Sequence, residues 1–179
     1  MAEAFINQVN RAVGIVTSSS NASIGVGLTW MSGISTAHVA INDLVDNSNF
    51  IAGTKVTLVG VSSVQLDRAS TNTTAATASN VSFLGPTTSY TSASATKSIL
   101  IGGTFANNTA NSVNLTVTVY DNSATTESQL AAKIPVPTGS SFVISDAGKT
   151  LLEGLDEVRV YSDTAGAIDV NLSILTGVS

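Results

Sequence analysis

Three stretches in the second half of the chain alternate apolar and polar side chains residue by residue. Leu115, Val117 and Val119 interleave with Asn114, Thr116, Thr118 and Tyr120. Val158 and Val160 interleave with Glu157, Arg159 and Tyr161. Ile168, Val170, Leu172 and Ile174 interleave with Asp169, Asn171 and Ser173. A backbone that repeats every two residues sends successive side chains to opposite faces. Each stretch therefore reads as a strand with one face buried and one face wet. The β-branched residues that dominate them suit a pleated surface. Ser98-Ile99-Leu100-Ile101 is a continuous apolar run instead, the pattern of a central strand covered on both faces. Residues 130–136 form a weaker strand, and Pro135, which has no N–H to give to a ladder, sets it at a sheet edge.

Turn residues punctuate these strands. Pro137-Thr138-Gly139 makes a turn before the short strand Phe142-Val143-Ile144. Asn107-Asn108-Thr109-Ala110-Asn111, Asp121-Asn122-Ser123, Asp146-Ala147-Gly148-Lys149 and Asp163-Thr164-Ala165-Gly166 are turn clusters of the same kind. Residues 150–155 fit a single helical turn. Short strands at this spacing predict an all-β fold, an antiparallel β-sandwich of Ig-like or jelly-roll-like type, over residues 92–179.

The first half is organised less clearly. Phe5, Ile6, Val9 and Val13 fall on one stripe of a 3.6-residue period, which predicts a short N-terminal helical arm over residues 2–13, within an arm segment 1–17. Glu3 suits the positive end of that helix and Gly14 its C-terminal cap. A helix this short is unstable alone in water, so it has to dock on its own domain or on a neighbour. Residues 17–23 read as a polar link. Residues 24–30 and 37–41 are strand candidates, and residues 55–66 are the strongest, read as two strands kinked at Gly60. Residues 69–80, nearly all Ser, Thr, Ala and Asn, read as an exposed loop, and residues 81–84 as a short strand. Residues 18–91 are thus expected to be an inserted β-subdomain or extra strands of the sandwich.

Composition narrows the function classes. Charged residues are 11% of the chain, against the usual ~25%. A β-rich chain with so little charge has sheet edges that invite association, which favours a permanent homo-oligomer. The net charge is −5, and the seven cations are scattered, so clustered phosphate contacts to nucleic acid are not expected. There is no cysteine for a thiolate metal site or a disulfide. Neither a signal peptide nor a membrane span is expected from the sequence.

Candidate chemistry is weak. His38, the single histidine, has no relay partner nearby in sequence. Asp43, Asp46, Asn47 and Asn49 crowd one loop but lack EF-hand spacing. Glu153, Asp156 and Glu157 read as loop charges rather than a hydrolytic pair. No catalytic residue, metal ligand or cofactor is expected. The apolar residues of the arm (Phe5, Ile6, Val9, Val13) and Trp30 are the candidates for an interface, Trp being common at binding hot spots.

Several segments carry a resemblance. Thr96-Lys97-Ser98-Ile99-Leu100-Ile101-Gly102, Ala106-Asn107-Asn108-Thr109, residues 113–121, Pro135-Val136-Pro137-Thr138-Gly139-Ser140 and residues 151–158 resemble small β-rich virion structural proteins of tailed, cyanophage-type bacteriophages. The opening Phe5-Ile6-Asn7-Gln8-Val9-Asn10-Arg11-Ala12-Val13-Gly14 is similar to how those proteins begin. The resemblance covers about the first 15 residues and the last half of the chain, and residues 18–91 depart from it. It implies a non-enzymatic subunit located in the virion, decorating or connecting at the neck or tail. Its partners would be copies of itself and neighbouring virion proteins, held through an interface of roughly 1,600 Å² or more. A capsid decoration (cement) protein and a receptor- or carbohydrate-binding module are the alternatives.

Overall fold

The computed structural model describes residues 3–145 and 149–178. Every regular element among them is a strand. In chain order these are β1 (Ala4–Asn10), β2 (Ile15–Ile24), β3 (Trp30–Ser32), β4 (Leu44–Asp46), β5 (Val56–Val59), β6 (Ser63–Leu66), β7 (Ala76–Leu84) and β8 (Thr87–Thr91). There follow β9 (Lys97–Asn107), β10 (Val113–Asp121), β11 (Thr126–Val136), β12 (Ser141–Ile144), β13 (Thr150–Leu152), β14 (Glu157–Ser162) and β15 (Ile168–Val178). All their pairings are antiparallel.

The chain forms two compact units. The first comprises residues 1–13, 86–162 and 166–179; the second comprises residues 14–85 with 163–165. The sequence reading set the corresponding boundaries at 17 and 91.

The first unit has two sheets, ordered β1-β15-β9-β12, with β13 also on β9, and β11-β10-β14-β8. Alternation decides which side chains go inside. Leu115, Val117, Val158 and Val160 of one sheet meet Leu100, Phe105, Ile168, Val170, Leu172 and Ile174 of the other in one buried cluster. Two antiparallel sheets sharing a core in this way are consistent with a β-sandwich. Phe105 anchors it, its ring 6.2 Å from that of Phe142.

The second unit is a six-stranded sheet ordered β4-β7-β2-β3-β6-β5. Its first and last strands also meet. Asn42 N–H donates to Val56 O at 2.8 Å, Val56 N–H to Asp43 O at 2.9 Å, and Val45 N–H to Thr54 O at 2.9 Å. The two ends of the sheet are thereby joined over residues 42–45 and 54–56, which closes it into a small barrel at that point. Ile24, Met31, Val56, Val64 and Phe83 fill it. Gly33 permits the turn out of β3: its φ is +72°, and an added Cβ would stand 2.7 Å from Asn21 O.

Several expectations are corrected. The N-terminal helical arm is a strand: β1 pairs with β15 residue for residue, from Ala4↔Thr176 to Asn10↔Val170. An isolated helix of this length gains little, whereas the edge of β15 supplies a full ladder of backbone partners. Ala2 lies outside the described residues. The strand expected over 37–41 is a run of turns, with His38 and Asn42 in the left-handed region at φ 64° and 77°. The polar segments 17–23 and 76–80 are not linkers but parts of β2 and β7, which pair with each other. Residues 150–152 are strand β13, not a helical turn. Of the turn expected at Asp146-Ala147-Gly148-Lys149, all but Lys149 lies outside the described residues.

Candidate functional site

The two outer faces of the first unit differ chemically. On the β11-β10-β14-β8 sheet the outer face is sealed by its own polar side chains. Arg159 Nε donates to Glu157 Oε2 at 2.8 Å, and its guanidinium lies 3.9 Å from Glu127 and 4.0 Å over the ring of Tyr120. Thr118 Oγ1 donates to Glu127 Oε1 at 2.6 Å, and Thr88 Oγ1 to Glu157 Oε2 at 2.7 Å. Under this layer Thr116 and Thr118 are buried, although alternation had put them on the wet face.

On the other sheet the outer face carries an apolar row beside polar residues, Asn7, Ser173, Asn171 and Thr104 also standing outward. Leu100, Leu152 and Ile174 point into the core, so their neighbours Ile99, Leu151 and Leu175 point out. The register places Phe5 opposite Leu175, Leu175 opposite Ile99, and Ile99 opposite Leu151. Four apolar side chains thus form one row across β1, β15, β9 and β13. Phe5 is 75% exposed and Leu151 51%, while Ile99 and Leu175 are partly exposed. Val9 and Val143, 63% and 55% exposed, flank the row on the same face. Beside its end is an open depression of about 500 Å³, walled by Lys97 and Glu153, whose charged groups are 3.4 Å apart.

The edges differ too. β11 is guarded by Pro135 and by the bulge at Lys133, whose φ is 50°. β1 carries no charge, proline or glycine along its seven residues, and among the described residues no strand pairs with its outer edge. Between β1 and β8 lies a cleft of about 320 Å³ lined by Gln8, Asn10 and residues 88–91.

The expected interface residues are distributed as follows. Phe5 and Val9 stand on the outer face, and Ile6, 37% exposed, is at the rim of the core face opposite the buried Ile174. Val13 is 7% exposed and belongs to the core. Trp30 lies in the barrel, 45% exposed, in a row with Gln65 and Leu58 on its outer wall. The sequence reading missed Ile99, Leu151 and Leu175. The signal was present in the run 98–101, read as covered on both faces, whereas its own chain covers only one.

The barrel presents a second surface. At the end opposite Gly14 and Gly85, the loops 25–29, 47–55 and 67–75 are tied together. Ser70 Oγ donates to Gly25 O at 2.7 Å, Ser70 N–H to Leu28 O at 2.9 Å, and Thr71 N–H to Asn49 O at 2.8 Å. These loops expose Val26, Leu28 and Ile51.

The acidic candidates are occupied with backbone. Asp156 accepts from Asn122 N–H and Glu153 N–H, and Asn47 Oδ1 from Asn49 N–H. Asp43 Oδ2 accepts from Ala40 N–H at 2.8 Å. Among the described residues no three His, Asp or Glu side chains converge as a metal site would need.

Two carboxyls depart from their ordinary range in opposite directions. Burial pushes Asp43 up, offset in part by the Ala40 N–H. For Glu157 burial also pushes up, but the Thr88 hydroxyl and Arg159 together outweigh it and hold the group low. The signs therefore differ. With its folded pKa raised, Asp43 makes the barrel most stable below the unfolded value, and that stability is lost as pH rises through the folded value. With its folded pKa lowered, Glu157 contributes stability above the unfolded value, lost as pH falls through the folded value. In urea titrations across the carboxylate range, Asp43→Asn is expected to flatten the pH dependence of the Trp30 fluorescence transition, since the only tryptophan lies in the barrel. Glu157→Gln is expected to remove part of the acid loss seen by circular dichroism. An unchanged pH slope in either variant contradicts its assignment.

No family model matches the chain, and no curated protein or solved structure proves similar to it.

Proposed function

We propose that the chain is a non-enzymatic structural subunit of a tailed-phage particle, built on a jelly-roll sandwich and held by burial of its apolar sheet face against neighbouring subunits. The single observation that carries this reading is the row Phe5–Leu175–Ile99–Leu151, an apolar row left exposed on one sheet face while the opposite face is sealed with polar side chains. Large apolar patches on an ordered surface mark places where another surface sits. The strand order supports the jelly-roll type. Running along the chain, β1, β9, β12 and β15 fall in one sheet and β8, β10, β11 and β14 in the other, ordered β1-β15-β9-β12 and β8-β14-β10-β11. This is the two-Greek-key arrangement common in capsid and lectin domains. The resemblance of residues 5–14 and of segments within 96–158 to virion proteins supports a place in the particle; a decorating or connecting role at the neck or tail is the preferred placement, with a capsid cement protein as the alternative.

The reading is tested on particles. Purified virions from the source of the chain are expected to contain it by mass spectrometry and to bind gold-labelled antibody at a fixed position. Its absence from intact particles overturns the reading. Leu151→Glu, at an exposed site, is expected to change folding stability by no more than about 0.5 kcal/mol yet to abolish incorporation. A second reading, a receptor- or carbohydrate-binding module, is favoured by the apolar barrel tip of Val26, Leu28 and Ile51. Loss of cell or glycan adsorption by Leu28→Asp, with incorporation intact, would select it.

A further inference from the structure

We infer that β1 is a self-complementary edge, and that the partner it takes is β1 of a second copy of this chain, paired antiparallel about Asn7. This rests on the reading of the chain as an assembling subunit and names the partner of that apolar face. When two copies of one strand pair antiparallel about a dyad, residue i stands opposite residue j wherever i and j are equidistant from the centre. With Asn7 at the centre, Phe5 stands opposite Val9 of the other copy, and Val9 opposite Phe5. Ile6 stands opposite Gln8, and Ala4 opposite Asn10. One step further out, Glu3 stands opposite Arg11 at both ends.

Two of these kinds of pair are ones that adjacent strands favour. The Phe5–Val9 pairs join an aromatic to a β-branched side chain on the outer face, and the Glu3–Arg11 pairs join opposite charges. No like charges meet anywhere along the nine residues. The participating groups are available: Glu3 is exposed, the Arg11 side chain is 85% exposed, and Phe5 and Val9 are 75% and 63% exposed. Arg11 also lies 3.8 Å from Asp169, which holds it beside the edge. The two five-stranded sheets are then joined edge to edge. Leu151, Ile99, Leu175 and Phe5 of one copy lead into Val9 of the other, which lengthens the apolar row by one residue before it meets Asn171 and Thr104.

The chain contains no cysteine, so single cysteines report this register without interference. Three full-length variants are needed: Asn7→Cys, Phe5→Cys and Val9→Cys, all at exposed positions. Under mild oxidation Asn7→Cys is expected to cross-link to itself. Phe5→Cys is expected to cross-link to Val9→Cys when the two are mixed, about tenfold more than either does to itself, because like positions would be roughly 14 Å apart along the strands, beyond the ~7 Å reach of a disulfide. A charge swap gives a second readout. Arg11→Glu is expected to lower the mass of the native protein by light scattering from twice 18.1 kDa towards 18.1 kDa, and adding Glu3→Arg is expected to restore it. Self-linking of Phe5→Cys as efficient as its linking to Val9→Cys, or a wild-type protein that stays at 18.1 kDa, overturns the inference. If either of those results comes with the chain present in particles, the inference fails alone. If the expected cross-links form but particles lack the chain, the functional reading fails alone.

Discussion

Phe105→Ala is expected to lower the stability of the first unit by about 3–5 kcal/mol, the largest effect of any single change proposed for this chain. Phe105 has no exposed surface and sits on β9, between β15 and β12, where side chains of both sheets meet it. Truncation removes the apolar transfer energy of the ring and leaves a cavity that two sheets pinned by their ladders close only in part. Domains of this size carry about 5–15 kcal/mol in total, so the variant retains little margin. Urea unfolding followed by circular dichroism measures it. A loss below about 1 kcal/mol would mean that β12 and Phe142 collapse into the space.

Asn107→Ala is expected to cost about 3 kcal/mol, for a different reason. Asn107 is 4% exposed and works as a staple. Its Nδ2 donates to Asn111 O at 2.7 Å, Val136 O at 2.9 Å and Pro137 O at 3.2 Å. Its Oδ1 accepts from Thr109 N–H at 2.9 Å and Thr109 Oγ1 at 2.7 Å. The side chain thus fixes the β9–β10 turn to the end of β11, and its loss removes these contacts from a buried site and takes the acceptor from the Thr109 N–H. Asn107→Asp keeps the acceptor but aims a carboxylate at three carbonyl oxygens, so it is expected to be at least as damaging as Ala. Denaturant titration of both variants checks the order. If Asp proves much milder than Ala, the donor side of the staple is not what matters.

How far the sequence reveals this fold depends on where each strand finds its partner. β10, β14 and β15 are legible because their buried faces repeat every second residue, and those residues are the core. β1 is not. Phe5, Ile6, Val9 and Val13 satisfy a helical stripe as well as an edge strand with side chains on both faces. The competing ladder comes from β15, which pairs from the far end of the chain. Tertiary pairing decided between the two, and a local pattern does not contain it. β2 and the start of β7 were illegible for a related reason. Their Ser, Thr and Asn residues bury little apolar surface, and what makes them strands is mutual backbone pairing inside a closed barrel. The candidate surface was half legible. Phe5 and Val9 stood out as apolar residues in need of cover. Ile99 was assigned to a two-sided interior because a continuous apolar run does not tell whether both of its faces are covered by its own chain.

The barrel's closure has an evolutionary consequence. Gly85 N–H donates to Gly14 O at 3.0 Å, so the stretch from 14 to 85 starts and finishes at the same place. Its core shares no residue with the sandwich core. Such a stretch is a cassette. Excising it asks that Val13 and Pro86 be rejoined by a tight turn and that residues 163–165 give up the barrel, where Ala165 N–H donates to Asp46 Oδ2, and exchanging it asks for another module whose ends meet. A module exchanged at that point changes the exposed tip and asks nothing of the order of the surrounding strands.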